Sequence, residues 1–144
     1  MRKVLLDANL LIGAFDDEDS PNPAHQKAKE TVRAWMVDAD VELVITPLVR
    51  YEVLRGVRTV SMSDKEAVLN DFPELEVRAE QAREAAEIFR IYQDQRGPNG
   101  IALDKRSFDF FHCACAKTYG LEIGSQDSHI AQIQKLIQDH AENA

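Results

Sequence analysis

The chain has 144 residues, a formal charge of −8 and a hydrophobic content of 44%, enough for one packed domain of the common ~100–150-residue size. Its acidic balance, with pI near 5.0, excludes a protein that grips nucleic acid through bulk positive charge, but not a site where bound cations reverse the local sign. No run approaches the ~20 apolar residues of a membrane span. The N-terminal Val4-Leu5-Leu6 is broken by Asp7, with no small-residue cleavage motif behind it. The expectation is a cytoplasmic protein with a single domain over residues 1–144.

Short apolar runs alternate with longer amphipathic ones, the pattern of βαβ units and an α/β fold with a parallel sheet. Residues 3–7 read as a buried strand and Asn9–Phe15 as a helix. Asp16 to Pro23 is loop by composition. Ala24–Asp38 predicts a helix with Ala28, Val32, Trp35, Met36 and Ala39 on one face. Val41–Ile45 makes a second strand. Thr46-Pro47 then starts a helix, with Thr as N-cap and Pro in the first turn. This helix carries Glu52 among Leu48, Val49, Tyr51 and Val53 and ends near Gly56.

Ser63-Asp64-Lys65-Glu66 fits a capping box for a helix that stops before Pro73. Leu75-Glu76-Val77 reads as a short third strand, and Ala79–Gln95 as a helix with Ala82, Ala86 and Phe89 inward. Arg96 to Gly100 is a turn. Asp104 can cap a helix that is apolar nearly all round, runs to about Tyr119 and is ended by Gly120. A fourth strand near Leu121–Gly124 leads to Asp127. Ile130, Ile133, Leu136 and Ile137 mark a last helix, with a frayed tail after His140. Cys113 and Cys115, two apart on a helix, read as buried reduced thiols rather than a disulfide or zinc pair.

Four acids, far apart in sequence, carry the chemistry. Asp7 stands behind a buried run, Glu52 on a mostly apolar helix, Asp109 among three phenylalanines, and Asp127 after the last strand. In a parallel sheet the strand ends open on one edge, where ligands bind. Carboxylates gathered there are costly unless a cation neutralises them. Mg²⁺ and Mn²⁺ prefer such hard oxygen donors, and a metal-activated water can hydrolyse a phosphodiester without a Ser–His–Asp set. Each acid also has a plainer reading: Asp7 as a strand end or helix cap, Glu52 as the i+3 partner of Arg55, Asp127 as a turn residue. Asp16, Asp17, Asp19 and Asp104 read as caps or solvated charge.

The run Asp7-Ala8-Asn9-Leu10-Leu11-Ile12, the segment Thr46-Pro47-Leu48-Val49-Arg50-Tyr51-Glu52-Val53-Leu54-Arg55-Gly56, and Asp109 followed by Ala114, Ala116, Gly120 and Ser125-Gln126-Asp127 together resemble the PIN domain. The likeness spans nearly the whole chain, and the size resembles stand-alone VapC-type toxins. It implies a three-layer α/β/α sandwich around a short parallel sheet. It also implies a Mg²⁺- or Mn²⁺-dependent endoribonuclease that acts on RNA as a homodimer and is inhibited by a cognate antitoxin. On the family pattern, Asp7, Glu52 and Asp109 match the three central acids, Asp127 the more variable fourth, and Asn9 and Ser125 the supporting polar positions.

The departures are Ser128, His129 and Ile130, where another acid and an aromatic are usual, and Phe110, Phe111, His112 and Cys113 in place of small aliphatics. His112 and His129 read as structural or surface residues, since all-oxygen sites are poor company for imidazole. Arg50, Arg55 and Arg58, with Lys105 and Arg106 ahead of Asp109, are the candidate phosphate contacts. The alternative readings are a non-catalytic PIN-like module that binds RNA or protein, and an aspartyl-phosphate phosphatase or receiver-like domain. The second lacks an acid two residues after Asp7, where Asn9 stands.

Overall fold

The computed structural model describes residues 1–15, 21–56, 61–96 and 107–143. The expected loop at 16–20, the turn at 97–100, the Asp104 cap, Arg58, and both Lys105 and Arg106 lie outside them. The described residues belong to two compact units. One is Met1–Glu76 with Glu122–Gln126, the other Val77–Leu121 with Asp127–Ala144.

The first unit is built on a parallel sheet of β1 (Arg2–Leu6), β2 (Val41–Val44) and β3 (Glu122–Gly124), in the order β2-β1-β3. Val4 faces Leu43 on one side, and Leu5 faces Ile123 on the other. Val4, Leu5 and Leu6 are wholly buried, as a continuous apolar run must be in a strand covered on both faces. The chain passes from β1 through α1 (Ala8–Ala14) and α2 (Pro23–Met36) to β2, then into α3 (Pro47–Arg55) and α4 (Met62–Leu69).

Asn22 caps α2, its side chain accepting from the Ala24 N–H at 3.0 Å, with Pro23 at the first helical position. Ala28 and Val32 face the core as expected, but Met36 is 56% exposed and Ala39 also lies in solvent. The helix ends at Met36, so its 3.6-residue period does not reach Ala39.

Two further expectations are corrected in this unit. The cap of α4 is Ser61, whose Oγ accepts from the Asp64 N–H at 3.1 Å, not Ser63. Ser61 and Ser63 each have an acid three residues on, and the earlier start is the one the chain takes. Leu75–Val77 is not a strand. Only a bridge between Ile45 and Glu74 forms, with the Ile45 N–H donating to Pro73 and the Leu75 N–H to Ile45. Leu75 and Val77 are only half-buried, so no apolar face extends the ladder.

The second unit consists of α5 (Ala79–Arg96), α6 (Ser107–Tyr119) and α7 (Ser128–Glu142). The inward face of α5 is Gln81, Ala85, Ile88 and Tyr92, while Ala82 and Ala86 lie in solvent and Phe89 is half-buried. A polar side chain takes the inward place because it is satisfied there. Gln81 accepts from the Arg78 N–H and donates to Thr118 Oγ, both at 2.9 Å. Phe89 and Tyr92 both meet Phe110 edge-on, at 5.7 and 5.4 Å between centroids.

Helix α6 buries residues nearly all round, including both free cysteines. It ends at Gly120, with φ of 70°, and the Leu121 N–H returns to the Ala116 carbonyl at 2.8 Å, a closing geometry glycine adopts freely. Helix α7 runs to Glu142, beyond the expected fraying at His140. No helix among the described residues is long and apolar enough to cross a membrane.

Candidate functional site

Because β1 is the central strand and its neighbours leave in different directions, the chain ends of β1 and β3 frame a switch point, the place where open α/β sheets bind ligands. Asp7 follows β1 directly. Its N–H donates to the Gly124 carbonyl at 2.9 Å, and its own carbonyl receives the Leu11 N–H at 3.1 Å. The backbone is thereby clamped between strand end and helix start. Asp7 occupies the N-cap position of α1, but its side chain makes no capping hydrogen bond. The carboxylate instead accepts from Ser125 Oγ at 2.9 Å, while the residue is only 3% exposed. Asp7 thus caps α1 by backbone position alone, while its side chain turns to Ser125.

Glu52 reaches the same place from α3. Thr46, wholly buried behind β2, caps this helix by accepting the Val49 N–H at 3.4 Å, and Pro47 occupies the first turn. Val49 and Val53 anchor the helix in the core. Glu52 comes within 4.8 Å of Asp7, oxygen to oxygen, with its side chain 16% exposed. Both are hard oxygen donors, which fit a Mg²⁺ or Mn²⁺ ion. Asn9, expected as a second support, lies exposed on α1.

The other two acids belong to the second unit. Asp109 is buried in the first turn of α6, followed by buried His112. Asp127 caps α7: its Oδ1 accepts the His129 N–H at 2.8 Å and lies 3.2 Å from His129 Nδ1. Asp127 is therefore a helix cap rather than a plain turn residue, with His129 as its partner.

The expected phosphate-binding cations on α3 are engaged within the protein. Arg50 Nε pairs with Glu74 at 2.7 Å. Arg55 stands 3.9 Å from Glu52 and over the ring of Tyr51. Tyr51, expected among apolar contacts, is 53% exposed. An i+4 aromatic–arginine pair is the signal that could have marked it.

Beside Ser125 a cleft of about 550 Å³ is lined by Leu10, Lys27, Thr31, Trp35 and Gln126, among others. Trp35 packs so tightly on Gly124 that a Cβ there would stand 2.8 Å from the indole.

The family model described as PIN domain matches residues 4–136. Among solved structures, the chain is similar to one described as a toxin–antitoxin complex from Klebsiella pneumoniae, with a TM-score of 0.64 and 18% identity over 87% of each chain. It is also similar to FitAB bound to an IR36 DNA fragment, with a TM-score of 0.62 and 18% identity over 92% of this chain and 90% of that one. No curated protein matches it in sequence. The three-stranded parallel sheet and its helices are those of a PIN-like α/β/α fold. The chain belongs to the PIN domain family.

Proposed function

We propose that the protein is a Mg²⁺- or Mn²⁺-dependent endoribonuclease, the toxin of a toxin–antitoxin pair. The observation that carries this reading is the approach of the Asp7 and Glu52 carboxylates to within 4.8 Å, with Ser125 bonded to the first at 2.9 Å. PIN domains are generally nucleases, and two neighbouring hard oxygen donors suit a divalent cation. Asp109 and Asp127 stand at the family's remaining acid positions and complete the ligand set. When bound, the divalent ion supplies the Lewis acidity that phosphodiester hydrolysis needs.

The side chains have separate tasks. Asp7 and Glu52 hold the cation, and Ser125 orients Asp7 by donating to it. Asp109 contributes a further oxygen from a buried helical turn. Asp127 is held by His129, so it joins the set through its second oxygen or through water. Lys105 and Arg106, just ahead of Asp109 in sequence, are the candidate contacts for the RNA phosphates.

The similar solved structures described as a toxin–antitoxin complex and as FitAB support an antitoxin partner. That partner places a cationic side chain against the acids and blocks them. The active form is a homodimer in the cytoplasm.

Three measurements test this proposal. Calorimetry should show divalent-ion binding by the wild type and its loss in Asp109→Asn. Cleavage of single-stranded RNA should require Mn²⁺ and vanish in Asp7→Asn. Metal binding without RNA turnover would favour a non-catalytic module, and unaltered binding in Asp109→Asn would remove that residue from the site. Failure of the chain to co-purify with the product of an adjacent gene would count against the antitoxin.

A further inference from the structure

Glu52 stands on α3 between two residues that the proposed chemistry does not use. Tyr51 precedes it and is 53% exposed, although the same helix buries Val49 and Val53. Arg55 lays its guanidinium over the Tyr51 ring, 5.4 Å from the centroid, and stands 3.9 Å from Glu52. The spacing accounts for both contacts: Arg55 is four residues from Tyr51 and three from Glu52, and both separations share a helix face. One half-exposed cation therefore links an aromatic ring to an acid of the candidate site.

We propose that Tyr51 and Arg55 form a stacking platform for an unpaired base of single-stranded RNA, beside the phosphodiester that Asp7 and Glu52 address. This rests on the nuclease reading above. A base stacks on a tyrosine ring whatever its identity. The guanidinium over the ring strengthens the aromatic face by cation–π attraction and offers planar donors to a phosphate. In a chain of net charge −8, a cation beside the acids lowers local repulsion where a polyanion must approach. A duplex keeps its base faces covered by their neighbours, so it cannot use such a platform. A protein partner that brings its own cation to the acids would meet Arg55 as a like charge, and this favours RNA as the occupant.

The test uses a short single-stranded RNA carrying 2-aminopurine, bound in Ca²⁺ and read by fluorescence, beside Mn²⁺ calorimetry on each variant. The wild type should quench the probe and bind single strand in preference to duplex. Tyr51→Ala should bind roughly tenfold more weakly and lose the quenching. Tyr51→Phe should retain both, and Tyr51→Leu, which keeps apolar bulk without a π-face, should behave like the alanine variant. Mn²⁺ binding should be unchanged throughout. A wild type that binds Mn²⁺ and RNA while Tyr51→Ala binds RNA equally well overturns the platform alone. If that variant also loses self-association in sedimentation, the ring belongs to a protein interface. A wild type that binds neither Mn²⁺ nor RNA overturns the nuclease reading and the platform with it.

Discussion

Replacing Asp7 by Asn should make the metal-free protein more stable while abolishing its response to divalent ions. The Asp7 and Glu52 oxygens lie within 4.8 Å. At the effective dielectric of ~20 suited to such pairs, two like charges at that range repel by about 3 kcal/mol. Arg55 at 3.9 Å from Glu52 and dissolved salt reduce this. Asn also accepts a weaker hydrogen bond from Ser125 than a carboxylate does, a loss of about 1 kcal/mol. The balance is a gain of about 1–2 kcal/mol in chelator.

The assay is urea unfolding of wild type and Asp7→Asn, first with chelator and then with Mn²⁺. In Mn²⁺ at a hundred times its dissociation constant the wild type should gain about 2.7 kcal/mol, and the variant little. The order of stabilities therefore reverses on adding metal. An Asp7→Asn protein less stable than wild type in chelator would refute the electrostatic argument. A wild type indifferent to Mn²⁺ would refute the cation.

Other outcomes follow from individual contacts. Ser125→Ala removes a hydroxyl donor to the buried Asp7 carboxylate and should cost about 1–3 kcal/mol in urea unfolding, with weaker Mn²⁺ binding by calorimetry. Gly124→Ala drives a Cβ to 2.8 Å from Trp35 and 3.0 Å from Val4, and should destabilise by about 1–3 kcal/mol. Trp35→Leu in the same chain should recover part of that loss, as a double-mutant cycle will read. Burial pushes the Cys115 thiol up from 9.0 to about 11, so the folded state holds a proton that the unfolded chain releases. That stabilisation is complete below pH 9 and lost as pH climbs through about 11, and Cys115→Ala should show a flatter pH dependence of the unfolding midpoint. Charge reversal at Lys105 and Arg106 should weaken RNA binding in a filter assay while leaving Mn²⁺ affinity unchanged.

Local chemistry was legible wherever a residue's role depends on its near neighbours. Thr46-Pro47 started α3 as read, since a hydroxyl cap and a missing N–H act within one turn. Gly120 ended α6 for the same kind of reason, and the runs Val4-Leu5-Leu6 and Val41–Val44 became strands. Leu75–Val77 failed because a strand needs a partner and a covered face, neither of which a tripeptide carries in itself. Helix α5 turned by one residue because Gln81 found Thr118, 37 positions away.

The candidate site divides along the same line. That Asp7 and Glu52 are unusual acids follows from the apolar residues around them, because an ionised carboxylate in such company demands compensation. Sequence alone determined the α/β class and the family. Only the tertiary structure decided that Ser125 donates to Asp7 while Asn9 faces solvent, that Asp127 caps α7, and that Arg55 ties Tyr51 to Glu52. Periodicity selects the face of a helix, but the partner a side chain meets depends on strands and loops far away in the chain.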